Sequence, residues 1–339
     1  MIASLVWQSP LTIRFRGLDA RDGVLLRGEV GWGECSPFWE YDDVESVPWW
    51  RSALETAQQG WPTPVRAMVP VNVTVPAVGP EVADRIVRAG GGCRTAKVKV
   101  AQRLRDGSLE ALDVELDRVA AVRAALDDLF GPGIGRIRVD ANGAWSPDDA
   151  VVHLREIDAA AGGLEYAEQP CASVEDLARL RRRIDVPIAA DESIRRAEDP
   201  MCVVKKGAAD VVVLKVQPLG GVRACLELAE RVRLPVVVSS ALESSIGLAA
   251  GVALAAALPE LPYACGLATS QLLISDVVSS PLLPIDGQLP ALAVDDSRLV
   301  PDPQLPALTS LSPNLTIAWE RRMARLAITE ANLPFRVTT

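Results

Sequence analysis

The sequence has a single histidine, His153, among its 339 residues. His153 falls in a segment with helical periodicity, where we expect it on the helix surface, so neither a His-based zinc site nor a Ser-His-Asp triad is expected. The six cysteines contain no CxxC pair, which is typical of small core residues in a reducing cytoplasm. The N-terminal residues lack the basic start and apolar run of a signal peptide, and the longest apolar run, residues 246–258, is too short to span a bilayer. These absences predict a cytoplasmic protein.

Basic residues are fewer than acidic ones, with 35 lysines and arginines against 44 aspartates and glutamates. The net charge of -9 argues against a nucleic-acid partner, because such binding needs a basic surface. It leaves anionic small molecules open, because a site can be locally basic. The 49% apolar content is ordinary for a globular chain and excludes disorder as its main character. Nothing in the sequence indicates an oligomeric state.

Lysine is scarce, with only five lysines among the 35 basic residues. A GC-rich coding bias is the simplest explanation. Even so, Lys97, Lys99 and Lys215 lie in short apolar runs typical of strands, where lysine is uncommon. Arginine cannot release its proton in a protein, whereas lysine can act as a base. The three lysines are therefore candidates for chemistry.

Short apolar runs alternate with amphipathic segments from about residue 69 onward. Eight such units over about 200 residues favour a closed (β/α) barrel over an open parallel sheet. No GxGxxG motif follows the first run, as the open sheet of a dinucleotide-binding fold would need. The predicted strands are residues 71–75, 96–100, 137–141, 164–167, 188–190, 211–216, 236–239 and 263–268.

The two ends of the chain differ in texture from this middle part. The first residues predict strands at 11–15 and 24–33 around a turn at 18–23, followed by a helix at 44–59. After residue 284 the chain is rich in proline and then predicts one helix near 313–331, which we expect to return to the N-terminal part.

Charged side chains stand at the carboxyl ends of successive predicted strands, which is where barrel enzymes place their active sites. From Asp140 onward they are separated by 28, 23 and 24 residues, about one βα unit each, so they should surround one mouth of the barrel. The 41 residues between Lys99 and Asp140 predict a longer helix or loop in that unit. The set is Lys97 and Lys99 on the second strand, Asp140 on the third, Glu168 on the fourth, Asp191 on the fifth and Lys215 on the sixth.

Three neighbouring carboxylates, Asp140, Glu168 and Asp191, would repel one another unless a cation lay between them. Oxygen ligands without histidine or cysteine suit Mg²⁺, with Mn²⁺ as a plausible substitute. Lys97 and Lys99 are two residues apart on a strand and point the same way, so each should lower the proton affinity of the other. This makes one of them a candidate general base, with Lys215 across the barrel.

Each residue also has a plainer interpretation when taken alone. A single aspartate at a strand end is usually a helix cap, and a single lysine in a strand is usually an edge residue. Asn142 is either a substrate-assisting group or a capping group. Arg138 shares the strand face of Asp140 and should point inward, either to a substrate carboxylate or to an internal acid. The complete set over five strands favours the catalytic interpretation.

Lys97, Lys99, Asp140, Glu168, Asp191 and Lys215 together resemble the enolase superfamily in its muconate-lactonising subgroup. The resemblance implies a (β/α)7β barrel at about 69–284, under an α+β capping domain made from 1–68 and completed by about 285–339. Within the subgroup, four segments are similar to those of o-succinylbenzoate synthases of menaquinone biosynthesis. They are GWGECSPF at 31–38, RVDAN at 138–142, SSALESS at 239–245 and GLAT at 266–269.

The resemblance implies a lyase that removes water with syn geometry from 2-succinyl-6-hydroxy-2,4-cyclohexadiene-1-carboxylate (SHCHC). Lys99 would take the proton alpha to the ring carboxylate and return it to the departing hydroxide. Lys215 would stabilise the enediolate together with Mg²⁺, and Lys97 would assist Lys99. Ser239 and Gly266 match positions that contact the succinyl arm. The turn at 18–23 matches a mobile capping loop.

Other functions fit the same residues. An N-succinylamino acid racemase of the same subgroup needs a base on each face of the alpha carbon, which Lys99 and Lys215 would supply. Dipeptide epimerases and muconate cycloisomerases fit less well, because the segment at 263–270 lacks acids and the Ser-Ser run at 239–240 is present. A non-catalytic, metal-stabilised binding barrel is a further alternative, but it would be expected to have lost at least one of these residues.

Overall fold

The computed structural model describes residues 3–196 and 199–333. Residues 1–2, 197–198 and 334–339, which belong to the predicted capping and barrel ranges, lie outside the described residues. The strands are Ala3–Phe15 (β1), Leu18–Arg27 (β2), Trp32–Cys35 (β3), Met68–Pro70 (β4), Val73–Val75 (β5), Thr95–Lys99 (β6), Arg136–Asp140 (β7), Leu164–Glu168 (β8), Ile188–Ala190 (β9), Val211–Leu214 (β10), Val236–Val238 (β11) and Gln288–Pro290 (β12).

The α-helices vary from single turns to one of 20 residues at the C-terminal end. No helix in the described part of the chain combines the length and apolar content needed to cross a membrane. The helices are Asp43–Gln59 (α1), Pro80–Arg88 (α2), Leu112–Phe130 (α3), Pro147–Ala161 (α4), Val174–Arg181 (α5), Glu192–Arg195 (α6), Met201–Lys205 (α7), Val216–Leu219 (α8), Val222–Val232 (α9), Ser245–Ala257 (α10), Pro306–Thr309 (α11) and Pro313–Asn332 (α12).

The centre of the molecule is a curled sheet in which strands β5 to β11 lie side by side in sequence order and all run parallel. These strands are short and almost entirely buried, as expected where both faces of a sheet are covered. The ring is completed by two parallel bridges, from Cys265 to Val71 and from Gly266 to Ser239. The predicted barrel is thus confirmed, although its eighth strand is reduced to these two bridges.

Helix boundaries follow local signals in the sequence. Helix α4 begins after Ser146, whose side chain accepts a hydrogen bond from the Asp149 amide, and it ends at Gly162 in the left-handed conformation. The expected extension between Lys99 and Asp140 is present as the loop at 100–111 and the 19-residue helix α3.

The N-terminal hairpin differs from its prediction. The turn consists of Arg16 and Gly17, not residues 18–23, and Phe15 already pairs with Leu18 across the strands. Both turn residues have positive φ, at 52° and 78°. Paired positive φ values are typical of the tight hairpin turn whose twist matches the flanking strands. Arginine is rare in this conformation, so the sequence did not indicate it.

The C-terminal part of the chain packs back on the N-terminal part. Strand β12 pairs with β4, and helix α12 lies against α1. Arg322 of α12 is 2% exposed and donates hydrogen bonds to the carbonyls of Pro37, Phe38 and Tyr41 and to the Ser46 hydroxyl. One guanidinium therefore joins α12 to the segment between β3 and α1.

Replacing Arg322 should weaken the contact between α12 and the N-terminal part of the chain. In Arg322→Met the buried carbonyls lose their donor, and we expect the free energy of unfolding to fall by about 2–3 kcal/mol in urea titrations. Arg321→Met is the matched control, because Arg321 is an exposed neighbour on the same helix. Equal losses in the two variants would contradict a specific role for Arg322.

Candidate active site

The strand register brings the predicted site residues to one level at the carboxyl end of the barrel. Lys99 lies opposite Asp140, and Asp140 lies opposite Glu168. Asp191 and Lys215 follow directly after β9 and β10. A cavity opens between these strand ends and the β1–β2 turn. Its lining includes Phe15, Arg16, Lys97, Lys99, Asp140, Asn142, Lys215, Ser239 and Gly266.

The lysines and carboxylates form a nearly continuous buried ion network. Lys99 Nζ lies 2.5 Å from Asp140 Oδ2, and Lys97 Nζ lies 3.4 Å from the same oxygen. Lys97 Nζ also lies 3.1 Å from both oxygens of Glu168. On the far side of the mouth, Lys215 Nζ lies 2.6 Å from Asp191 Oδ2. All of these side chains are buried, so each charge is neutralised by protein groups rather than by water.

The two lysines of β6 differ in proton affinity. Burial lowers the pKa of Lys99, and the nearby charge of Lys97 lowers it further, which together outweigh the attraction of Asp140. Burial also disfavours charged Lys97, but Glu168 and Asp140 together raise the pKa of Lys97 above its usual range. The expected lowering of the pKa is thus observed for Lys99. It is wrong for Lys97, because Lys97 contacts two carboxylates that favour its charged form.

The three carboxylates influence one another strongly. Burial raises the pKa of Glu168 to about 7, and the charges of Asp140 and Asp191 add to this rise. Burial acts in the same direction on Asp140 and Asp191, but their lysine and arginine partners lower the pKa of both below the usual range. Three acids that repel one another at one barrel mouth, all offering oxygen, have the donor chemistry that suits a hard divalent cation.

These carboxylates are turned towards cationic side chains. Within residues 3–196 and 199–333, no three acidic, histidine or cysteine side chains converge as a ready metal site. Asp140 and Glu168 contact lysines, while Asp191 also binds Arg195 Nε at 2.9 Å. A bound cation would therefore compete with these cationic groups, and the metal site stays a prediction.

Comparison with known proteins identifies the family. Models described as enolase N-terminal domain-like and enolase C-terminal domain-like match residues 6–57 and 80–295. An o-succinylbenzoate synthase from Thermobifida fusca is 60% identical over 315 residues, which cover 93% of each chain. One from Mycobacterium marinum is 48% identical over 93% of this chain and 90% of its own. The chain belongs to the o-succinylbenzoate synthase family of the enolase superfamily.

Solved structures of other superfamily members share the fold. A muconate lactonizing enzyme from Pseudomonas fluorescens superposes with a TM-score of 0.71 at 22% identity, over 96% of this chain and 98% of its own. An L-Ala-D/L-Glu epimerase from Bacillus subtilis gives 0.72 at 21% identity, over 86% and 96%. These likenesses place the chain in the (β/α)7β architecture with an N-terminal capping domain.

Several residues that hold the network were missed from the sequence. Arg195 lies four residues after Asp191, pairs with it and donates to the Tyr41 hydroxyl of the N-terminal part at 2.7 Å. Gln169 Oε1 accepts the Asp191 amide at 2.9 Å and so fixes the start of α6. The spacing of Arg195 on a helix face was the available signal; for Gln169 none was visible.

Asn142 lies beside the candidate base. Its Oδ1 accepts a hydrogen bond from Lys99 Nζ at 2.7 Å, and its Nδ2 donates to Glu192 Oε1 at 3.2 Å. Its φ of 47° turns the chain immediately after β7, and its amide donates to Asp140 Oδ1. Asn142 thus contacts both members of the Lys99–Asp140 pair, and either of its two expected roles is compatible with this position.

Ser239, Gly266 and the hairpin turn also line the cavity. A β-carbon on Gly266 would lie 2.5 Å from Ser239 Oγ, so a larger residue at this position would displace the Ser239 hydroxyl. The Phe15 ring centroid lies 5.4 Å from Lys99 Nζ, and the ring packs with Leu242 and Leu272. The end of β1 therefore covers the candidate base with an apolar group. The sequence did not indicate this function for Phe15.

Two family motifs meet at one buried acid. Glu34 of the 31–38 segment accepts hydrogen bonds from Ser36 Oγ at 2.7 Å and from the Ser244 amide at 3.1 Å. It also accepts the Gly247 amide at 3.2 Å, and burial raises the pKa of Glu34 to about 7. The N-terminal sheet is thereby joined to helix α10 of the barrel close to the cavity.

Arg138 lies inside the protein, whereas His153 is half-buried. Arg138 is fully buried, and it binds Glu165, the Tyr166 hydroxyl at 2.8 Å and the Ala264 carbonyl at 2.7 Å. The described residues that line the cavity do not include Arg138. Of its two expected roles, the contact with an internal acid is the one observed. His153 lies on α4, where it stays partly exposed and packs one side of its ring on Trp145.

Substitution of Arg138 should lower stability and leave substrate affinity unchanged. Arg138→Met removes the cation of a buried pair, so we expect a loss of about 3 kcal/mol in the free energy of unfolding. The KM for substrate should stay within about twofold, because Arg138 is separated from the cavity. Thermal unfolding and steady-state kinetics test this. A KM raised about tenfold with an unchanged melting temperature would show substrate contact instead.

Proposed function

We propose that this chain catalyses the dehydration of SHCHC to o-succinylbenzoate in menaquinone biosynthesis. The observation that carries the proposal is the buried Lys99, which faces the cavity with a lowered pKa and has Lys215 in the same lining. Its relatives at 48–60% identity are named for this activity. The partner is thus a small-molecule carboxylate, and we propose no nucleic-acid or membrane partner.

Lys99 would perform both proton transfers. Its neutral Nζ takes the proton from the carbon alpha to the ring carboxylate, and the electron pair moves into the carboxylate system. The carbon–oxygen bond to the hydroxyl group then breaks on the same face. Lys99 returns its proton to the leaving hydroxide, so that water and the aromatic ring are formed. A base that acts twice must stay near one face, as the contact of Lys99 with Asn142 allows.

Lys215 and Lys97 would have electrostatic functions. Lys215 lines the cavity as a second cation and would stabilise the negative charge that develops on the substrate carboxylate. Lys97 contacts Asp140 and Glu168, and its raised pKa keeps it protonated. We therefore assign to Lys97 the role of lowering the proton affinity of Lys99.

Asp140, Glu168 and Asp191 would hold Mg²⁺, with Mn²⁺ as a substitute. When bound, the ion supplies a Lewis acid that stabilises charge on the substrate carboxylate. Support comes from the oxygen-only donor set and from the pKa of Glu168, which burial, together with repulsion by Asp140 and Asp191, raises to about 7.

We also propose how the rest of the chain contributes. Ser239 and Gly266 would contact the succinyl arm, and the Arg16–Gly17 turn would exclude water from the intermediate. A capping domain of residues 1–68 with 285–339 would cover a barrel at 69–284. Six cysteines without disulfide partners support a cytoplasmic location.

The deciding experiment follows the ultraviolet absorbance of SHCHC with purified protein in Mg²⁺ and then in EDTA. We expect conversion to o-succinylbenzoate in Mg²⁺ and its loss in EDTA. If no conversion occurs in Mg²⁺, the proposed substrate is wrong. N-succinylamino acids would then be assayed for racemisation, for which Lys99 and Lys215 offer a base on each side of the cavity.

The base assignment has its own test. Lys99→Ala should lower kcat roughly 10³-fold or more while the protein still unfolds cooperatively, because it removes the group that accepts the alpha proton and returns it on the same face. Lys205→Ala is the matched control, since Lys205 is an exposed lysine paired with Asp199. Turnover in Lys99→Ala at the wild-type rate would exclude Lys99 as the base.

Metal binding can be measured without turnover. Asp191→Asn removes one of three anionic ligands, and we expect the Kd for Mg²⁺ to rise at least about tenfold in calorimetric titrations. Asp210→Asn serves as control, because Asp210 is a barrel carboxylate paired with Arg181 away from the mouth. An unchanged Kd in Asp191→Asn would remove this residue from the ligand set.

A further inference from the structure

The long segment between Lys99 and Asp140 carries two charged side chains that are completely buried. Glu115 and Arg118 lie one turn apart on α3, and both are 0% exposed. Charged residues are almost never fully buried unless specific partners hold them. Each of these two residues has one partner on the backbone at or just after the end of β6, which carries Lys99.

Arg118 joins three segments around Lys99. Its Nη1 donates to the Lys99 carbonyl at 3.0 Å, and its Nε donates to the Val78 carbonyl at 2.6 Å. Its Nη2 binds the Glu110 carboxylate at 2.7 Å. Pairing of β6 with β5 ends at Val98, so the Lys99 carbonyl lies just beyond that ladder. The hydrogen bond from the Arg118 guanidinium therefore holds β6 one residue beyond the end of its pairing with β5.

Glu115 binds the backbone at Ala101, two residues after Lys99. Its Oε1 accepts the hydrogen bond of the Ala101 amide, and Ala101 has a φ of 55°. This left-handed conformation is unfavourable for a residue with a β-carbon, and it persists where surrounding contacts impose it. The other oxygen, Oε2, faces His153 Nδ1 of α4 at 3.6 Å. Glu115 therefore binds the backbone at Ala101 through one oxygen and lies near the His153 ring with the other.

We propose that Glu115 and Arg118 are positioning residues for Lys99, and this inference rests on the proposed function of Lys99 as the base. Together they fix the backbone at residues 99–101, and so the direction in which the Lys99 side chain leaves the strand. A lysine side chain is flexible, and a displacement of about 1 Å at a reacting group can cost about 10²-fold in rate. The segment between Lys99 and Asp140 thus has a function in catalysis.

The experiment compares Glu115→Met with Glu115→Gln. Glutamine retains an acceptor oxygen at the same reach for the Ala101 amide, whereas methionine has similar length and no comparable acceptor. For Glu115→Met we expect kcat for SHCHC to fall at least about tenfold with KM within about twofold, because the base is displaced and the substrate contacts are kept. Glu115→Gln should restore kcat to within about threefold of wild type.

The matched control is Arg123→Met on the same helix. Arg123 donates to the Gly135 carbonyl at 2.9 Å and has no contact with the segment at 99–101. We expect Arg123→Met to lower the free energy of unfolding and to leave kcat unchanged. Wild-type kcat in Glu115→Met, or an equal loss of kcat in Arg123→Met and Glu115→Met, would overturn the proposal. So would a failure of Glu115→Gln to restore kcat.

Two further measurements keep the test decisive. If Glu115→Met does not fold, Arg118→Lys takes its place, since lysine keeps the charge but cannot reach all three acceptors. The same split between kcat and KM is then expected. If the wild-type protein does not convert SHCHC, the proposed function is wrong. Crystal structures of the variants then test separately whether Glu115 and Arg118 position Lys99. Loss of the 2.7 Å contact between Lys99 Nζ and Asn142 Oδ1 supports it, and an unmoved Lys99 overturns it.

Discussion

The pairing of buried lysines with buried carboxylates at the barrel mouth is the constraint on which the rest of the structure depends. A carboxylate or ammonium group removed from water is costly unless an opposite charge is close. Lys97 between Asp140 and Glu168, and Lys215 beside Asp191, satisfy this condition. The network therefore needs every member in place, and the strands that carry these residues must end at the same level.

The barrel brings the strand ends to the same level, and the terminal parts of the chain cover them. Parallel strands in sequence order bring residues separated by more than 100 positions to one ring. The N-terminal hairpin then places Phe15 above Lys99, while Tyr41 and Glu34 bind to groups at the barrel mouth. Covering the ring keeps the charges in a poorly solvated medium, where shifts such as the lowered pKa of Lys99 become possible.

Much of this arrangement could be predicted. The strand cores and α1, α4 and α12 follow from apolar periodicity and from caps such as Ser146. The prediction was wrong at the N-terminal turn, because Arg16 adopts a conformation in which arginine is rare. It was also incomplete at residues 263–268, where an apolar run makes only two bridges. In both places the tertiary contacts decided the backbone, and local preference did not.

The sequence by itself determined the class of fold and the ring of reactive residues, because both repeat with the βα unit and leave a periodic record. Only the tertiary structure decided how those residues differ from one another. Lys97 and Lys99 are equivalent in the pattern, yet their contacts move their pKa values in opposite directions. Arg138 and Asp140 share a strand face, yet Arg138 binds Glu165 within the protein. Such differences depend on distances between side chains far apart in sequence, which no local pattern records.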